Sequence, residues 1–154
     1  MLKEALEVVE LHFKRAKSNV CEIQKWQDIS SNDFADDNKV RVIDAFIYRF
    51  IKLQDLMGNK LFKRLLNEIG EYQDNMSLLD VLDKLEKLEL LDSADRWMEH
   101  RKLRNLLTHE YPDNLQDIIK GIKLALCAFE EMEMIFTKIK QYVQKLSLRR
   151  GKND

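Results

Sequence analysis

The scarcity of chain-breaking residues is the feature that most limits the folds open to this chain. Its 154 residues include one proline, Pro112, and four glycines. Glycine and proline form many of the tight turns that join β-strands, so a chain with so few of them has few places to form hairpins. Leucine, lysine and glutamate are abundant, and these residues favour helices. The sequence therefore predicts an all-α fold.

Apolar residues recur every three or four positions through most of the chain, which is the spacing of one buried helix face. The pattern predicts long helices over residues 2–26, 39–57 and 115–146, with shorter helices between them. The acidic stretch 28–38 interrupts the pattern and predicts the clearest loop. Helices joined by short connections pack against their neighbours in opposite directions. The expected architecture is an antiparallel bundle of five to six helices.

Several residues are typical of helix ends. Ser77 followed by Asp80 resembles a capping box, in which each side chain accepts a hydrogen bond from the other residue's backbone N–H. Gly70 suits the left-handed position that often follows a helix, and Gly58 allows a break or bend. Pro112 disfavours helical geometry at the residue before it. The helix that precedes Pro112 is therefore expected to end there.

Composition indicates a globular protein of one domain. The chain is 45% hydrophobic and 34% charged, which is unlike disordered or membrane-embedded proteins. One helical domain is expected over residues 1–148, followed by a flexible basic tail over 149–154. No apolar run approaches the roughly 20 residues of a membrane span, and no signal peptide opens the chain, so a cytoplasmic protein is expected. The net charge of −1 requires any nucleic-acid contact to come from a local cluster.

The two cysteines predict no special chemistry. Cys21 and Cys127 are far apart in the sequence and lie within apolar helical patterns, so buried reduced thiols are expected. The chain has no CxxC pair and no His and Cys spacing typical of zinc sites. Neither a metal site nor a cofactor is expected.

The stretch Arg-Asn-Leu-Leu-Thr-His-Glu-Tyr, residues 104–111, carries the strongest chemical signal. Arg104 can hold two phosphate oxygens at once. His109 lies near the negative end of its helix, where the protonated imidazole is favoured, and it can give or take a proton. Such a pair can cut RNA without a metal, because the 2′-hydroxyl is a nucleophile already beside the phosphate. The alternative is that these are surface residues that cap carbonyls or pair with glutamates.

The pattern Arg-Asn-x-x-x-His-x-Tyr, on the fourth helix of a small all-α domain, resembles the signature of the HEPN superfamily, the higher-eukaryote and prokaryote nucleotide-binding domain. The longer form with His-x-Tyr is similar to that of HEPN toxins paired with a minimal nucleotidyltransferase antitoxin. The resemblance implies a homodimer whose two motifs form a cleft that cuts RNA without metal. It also implies that Arg104 positions phosphate, that His109 is the acid or base, and that Asn105 supports the site.

The same resemblance implies that the antitoxin attaches AMP to Tyr111 and so blocks the cleft. Some relatives complete the site with an upstream polar residue, for which Asp44, Arg49 and Asp55 are the candidates here. The implied partners are a minimal nucleotidyltransferase, RNA or a nucleotide, and a second copy of the chain. A second interpretation is a non-catalytic subunit that binds a nucleotide or substrate for the nucleotidyltransferase. A third is a helical scaffold whose motif has decayed.

The other large or titratable residues carry structural predictions. Trp26 and Trp97 are expected to anchor the core or an interface instead of stacking on bases. Met132 and Met134 are expected in the core or a dimer interface. His100 is expected to have a structural or interfacial role.

Overall fold

Helices account for nearly all of the computed structural model, which describes residues 1–109 and 114–153. A 3-10 turn, Ser31–Ala35, lies in the acidic loop, and a π-helical turn, Met57–Leu61, follows the second helix. No strand occurs in this part of the chain, so the all-α prediction is confirmed. The α-helices are α1 Leu2–Gln24, α2 Asp37–Leu56, α3 Phe62–Glu68, α4 Leu78–Lys87, α5 Ala94–His109 and α6 Leu115–Asn153.

The six α-helices form a bundle of five helical rods, because α2, the π-helical turn and α3 follow one another without a break. Helix α1 packs along α2, and α5 lies against both α2 and α6. Phe13 of α1, Phe46 of α2 and Phe129 of α6 meet in the core. The ring centroid of Phe129 lies 5.6 Å from that of Phe13 and 6.2 Å from that of Phe46. Counted by rods, α5 is the fourth, and it carries the Arg-Asn motif.

Two predicted helix ends, at Ser77 and at Gly70, are confirmed, and the end predicted at Pro112 lies outside the described residues. The backbone N–H of Ser77 donates to Asp80 over 3.0 Å, and the N–H of Asp80 donates to the Ser77 hydroxyl over 3.1 Å. Gly70 has a φ of +77°, the left-handed conformation expected just after α3. Gly58 does not interrupt its helix and instead lies within the π-helical turn.

Trp97 fixes the packing of α5 against this turn. Its side chain is 1% exposed, and its ring lies 4.8 Å from that of Phe62, measured between centroids. A Cβ placed on Gly58 would lie 3.6 Å from the indole nitrogen of Trp97. The indole of Trp97 therefore lies at ordinary contact distance from the turn at Gly58. The prediction that Trp97 anchors the core is confirmed.

The apolar pattern overestimated the burial of some side chains. Both thiols, Cys21 and Cys127, are exposed and unpaired, so the prediction that they are buried is wrong. The adjacent Val20 and Ala128 take the core-facing positions, because only about half of a helix surface can face the core. Met134 is likewise 60% exposed.

Helix α6 continues beyond the end predicted near residue 146 and reaches Asn153. No proline interrupts this stretch, and the guanidinium of Arg150 forms an ion pair of 2.7 Å with Glu68 of α3. The segment predicted as a flexible tail therefore contains helical residues. Within the described ranges, no helix combines the length and apolar character needed to cross a membrane.

Candidate functional site

Helix α5 presents its polar side to the surface because its leucines are held against α6. A Cβ placed on Gly121 of α6 would lie 3.1 Å from Leu107 and 3.8 Å from both Leu103 and Leu106. Three leucines of α5 therefore meet α6 at a glycine, where the two backbones can approach closely. Arg104 is left on the other side of α5, facing α2.

The guanidinium of Arg104 is held by two neighbours. Its Nη2 donates to the carboxylate of Asp55 on α2 over 2.9 Å, and its Nη1 donates to the side-chain oxygen of Asn105 over 3.2 Å. Its Nε is buried and has no hydrogen-bond partner among the described residues. The Arg104 side chain is 24% exposed, so the group is sheltered but open to solvent on one side. Its orientation is thus set before any ligand arrives.

A polar cavity of about 290 Å³ opens beside this ion pair. Arg101, one turn before Arg104, also lines the cavity, so two cationic residues and the single carboxylate of Asp55 contribute to its wall. The π-helical turn contributes Gly58 and Asn59 to the wall, and such turns frequently occur at functional sites. The cavity is lined by Gln54, Asp55, Gly58, Asn59, Trp97, Arg101, Arg104 and Asn105.

Two polar lining residues, Gln54 and Asn59, were missed by sequence reasoning. Gln54 is buried, and its amide donates to the sulfur of Met132 over 3.8 Å. A signal was present, because Asp55 and Asn59 are four residues apart and share a helix face, and Gln54 precedes Asp55. That pattern could have indicated a polar wall on α2.

The two remaining motif residues cannot be placed relative to this cavity. His109 is the last residue of α5, and its side chain lies outside the described part of the chain. Tyr111 also lies outside the described residues. The pairing of Arg104 with His109 and the modification of Tyr111 therefore stay predictions.

Of the three upstream candidates, Asp55 is the residue that contacts Arg104. Asp44 lies on the exposed side of α2, about 16 Å along the helix axis from Asp55, and does not line the cavity. Arg49 also lies away from the cavity, with its Nη1 2.8 Å from Nδ1 of His12 on α1. The supporting roles of Asp44 and Arg49 remain predictions.

A second polar cluster joins α5 to α6. His100 is 5% exposed, its Nε2 lies 2.6 Å from the carboxylate of Glu131, and Arg96 donates to the same carboxylate. Burial lowers the pKa of His100 below its ordinary value, and the hydrogen bond to Glu131 only partly opposes that shift. Burial raises the pKa of Glu131, but the bonds and charges of Arg96 and His100 outweigh it and lower the pKa. These contacts agree with the structural role expected of His100.

No protein-family model matches the chain, and no curated protein matches it. The family resemblance therefore depends on residues 104–111 and on the all-α fold. In the ranges that the structure describes, no three His, Cys, Asp or Glu side chains come together as a metal-ligand set.

The cavity is suited to a phosphate. Arginine has five N–H donors in a planar group that matches two phosphate oxygens, so Arg104 can engage an anion while it retains a bond to Asp55. Arg101 increases the local positive charge, and Asn59 and Asn105 supply amide groups at the rim. The described residues therefore supply the types of side chain that bind a phosphate.

Proposed function

We propose that the protein is a HEPN-type toxin, a metal-independent endoribonuclease that cuts RNA at a dimeric Arg-x4-His site. Arg104, Asn105 and His109 form the site, and a cognate minimal nucleotidyltransferase antitoxin blocks it by attaching AMP to Tyr111. One observation carries the proposal: Arg104 is held by Asp55 and Asn105 beside a polar cavity with a second guanidinium group. The motif in residues 104–111 supplies the remaining chemistry.

In the proposed reaction the 2′-oxygen of the RNA forms a bond to the adjacent phosphorus, and the bond from that phosphorus to the 5′-oxygen of the next nucleotide breaks. The proton lost by the 2′-hydroxyl is balanced by the proton gained by the leaving 5′-oxygen, with His109 as the acid or base. Arg104 donates to the phosphate oxygens and stabilises the charge that develops on them. The products are a cyclic phosphate and a free 5′-hydroxyl.

The test is incubation of purified full-length protein with single-stranded RNA. We expect cleavage by the wild type and its loss in Arg104→Ala and in His109→Ala. Lys102→Ala is the matched control, because Lys102 is an exposed cation on the same helix outside the cavity. Circular dichroism and sedimentation would establish that fold and assembly are unchanged. Cleavage that persists in both motif variants would overturn the proposal.

The inhibitory modification has a separate test. After co-expression with the nucleotidyltransferase, we expect intact-mass analysis to find added AMP in the wild type and none in Tyr111→Phe. Tyr111 is close in sequence to Arg104, the residue expected to bind the RNA phosphate. AMP attached to Tyr111 would add a bulky, negatively charged group there. A wild-type mass that does not change would remove this part of the proposal.

A non-catalytic binding subunit is the second candidate function. The described lining of the cavity supports it too, because Arg101, Arg104, Asn59 and Asn105 supply cations and amides that can bind an anion without any reaction. Such a subunit would bind RNA or a nucleotide at the same cavity, and its partner would carry out the chemistry. Arg104-dependent binding without any cleavage would favour this function over the first.

A further inference from the structure

An exposed tyrosine on α2 is flanked by two cations. The Tyr48 side chain is 52% exposed, unlike most of the aromatic residues in this chain. The guanidinium carbon of Arg49 lies 5.2 Å from the centre of its ring, and the ammonium of Lys52 lies 6.0 Å away. About half of Tyr48 is therefore open to solvent beside two positive charges. We refer to Tyr48, Arg49 and Lys52 as the Tyr48 surface.

Neighbouring residues on α1 add to this positive charge. Nη1 of Arg49 lies 2.8 Å from Nδ1 of His12, which holds the guanidinium at the α1–α2 junction. Burial, followed by the charges of Arg49, Lys52 and Arg15, lowers the pKa of His12. Neutral His12 can accept a hydrogen bond from Arg49 through Nδ1. Three permanent cations thus surround one imidazole at this junction.

The Tyr48 surface and the Arg104 cavity lie along one side of α2. Tyr48, Lys52 and Asp55 occur at positions i, i+4 and i+7, which fall on one face of a helix. Two helical turns, about 10 Å along the axis, separate Tyr48 from Asp55. Asp55 contacts Arg104, so the exposed face of α2 leads from the aromatic ring to the cavity.

We propose that the Tyr48 surface binds single-stranded RNA beside the segment held at Arg104. A base stacks on the Tyr48 ring, and backbone phosphate contacts Arg49 and Lys52. An aromatic platform among cations is the usual arrangement for binding single strands without sequence preference. This inference rests on the proposed function, because it extends the RNA contact away from the cleavage site.

The charges favour RNA over a second copy of the chain as the occupant. Arg15, Arg49 and Lys52 outnumber the carboxylates of Asp44 and Asp55 on the same face, and Asp55 is paired with Arg104. A two-fold contact between two chains through this surface would place the cations of one chain against the same cations of the other. An RNA backbone carries the complementary, negative charge. The chain has a net charge of −1, so this positive potential is local.

The experiment measures binding of a fluorescein-labelled oligouridine by anisotropy, with full-length protein. Every ribose carries a 2′-O-methyl group, which removes the nucleophile and prevents cleavage. We expect Tyr48→Ala to weaken binding at least about fivefold, because stacking of one base contributes that much or more. Tyr48→Phe should bind like the wild type, since it keeps the ring. Leu79→Ala is the matched control, as Leu79 is a 48% exposed apolar residue on α4.

Salt dependence tests the phosphate contact. Log affinity falls linearly with log salt concentration. Loss of one phosphate contact with a single strand should make that fall less steep by about 0.7. We expect that change in Lys52→Ala and no change in Lys87→Ala, whose lysine is exposed on α4. Wild-type binding and an unchanged slope in the Tyr48→Ala and Lys52→Ala variants would overturn the inference. A change of assembly in Tyr48→Ala, with RNA binding unchanged, would also overturn it and would assign the surface to a contact between copies.

Cleavage of unmodified RNA separates this inference from the proposed function. If cleavage depends on Arg104 but RNA binding is unchanged in Tyr48→Ala, the inference about the Tyr48 surface is overturned and the proposed function is not. Tyr48-dependent binding by a wild type that never cleaves RNA would support the RNA surface while overturning the endoribonuclease proposal.

Discussion

At the scale of single residues, the central observation is that Arg104 is paired before any substrate is present. Asp55 restrains the guanidinium on one side, and Asn105 restrains it on the other. A restrained side chain loses less conformational freedom when it binds a ligand. The carboxylate also lowers the positive charge available to that ligand. Asp55 should therefore affect the rate of reaction and the affinity for RNA in opposite directions.

We predict that Asp55→Asn lowers kcat for RNA cleavage about tenfold, because a less well oriented guanidinium stabilises the transition state less well. KM should not rise, since removal of the carboxylate makes the cavity more positive. Steady-state kinetics would measure both constants. Asp28→Asn is the matched control. It also removes a carboxylate from an ion pair, here with Lys123, but Asp28 does not line the cavity. An unchanged kcat in Asp55→Asn would contradict the positioning role.

Acid should weaken the fold through the α5–α6 cluster. Because the pKa of His100 is lowered from 6.5 in the folded chain, the unfolded chain takes up a proton more readily as the pH falls below that value. Stability is therefore retained above about pH 6.5 and decreases as the pH drops through the lowered pKa. The lowered pKa of Glu131 adds a further loss below its ordinary value of 4.5.

We predict that the free energy of unfolding, measured with urea, falls between about pH 7.5 and about pH 5.5. His100→Gln should show a smaller fall, because it removes the group that gains a proton on unfolding. His12→Gln is the comparison, since the pKa of His12 is also lowered and it contributes in the same direction. A pH dependence in His100→Gln as steep as that of the wild type would rule out this account.

At the scale of helices, α5 meets two glycines of neighbouring elements, and only one of these contacts is too close for a side chain. Gly58 lies against the indole of Trp97 at ordinary contact distance, and an added Cβ would find room there. Gly121 lies against Leu107, and an added Cβ would be only 3.1 Å from a methyl carbon of that leucine. Leu107 is 2% exposed, so it has little space into which to move.

We predict that Gly58→Ala is neutral or stabilises the protein by up to about 1 kcal/mol, the usual gain for alanine within a helix. Gly121→Ala receives the same helical gain but crowds α5 against α6. It should therefore be less stable than Gly58→Ala by about 1 kcal/mol or more. Chemical unfolding of the two variants measures the difference. Equal stabilities would mean that the α5–α6 contact is not tightly packed.

At the scale of the whole molecule, the proposed function requires two copies. One chain contributes one Arg104 cavity, whereas the HEPN resemblance implies a cleft made from two motifs. The polar faces of α5 and α2 around Arg104 are therefore the expected place for catalysis, and the Tyr48 surface extends from it along α2.

We predict that RNA cleavage per chain falls as the protein is diluted below the concentration at which it forms dimers. Sedimentation and cleavage would be measured over the same dilution series. Lys102→Ala should behave like the wild type. Constant activity per chain in the range where only monomers are present would contradict a composite site.

The sequence by itself determined the helices and several of their ends. These features depend on residues within about one turn of each other, such as Ser77 with Asp80 or Gly70 after α3, so local pattern is sufficient to predict them. The candidate Arg-Asn pair could also be recognised, because its two residues are adjacent.

Only the tertiary structure decided which distant side chains meet. Asp44, Arg49 and Asp55 were equal candidates in the sequence, yet only Asp55 reaches Arg104, because the crossing of α2 and α5 brings those two positions together. The exposure of Cys21, the π-helical turn at Gly58 and the bond between His12 and Arg49 likewise depend on helix packing. The spacing of apolar residues in the sequence indicates that a helix has a buried side. The helix packed against that side determines what each of its residues contacts.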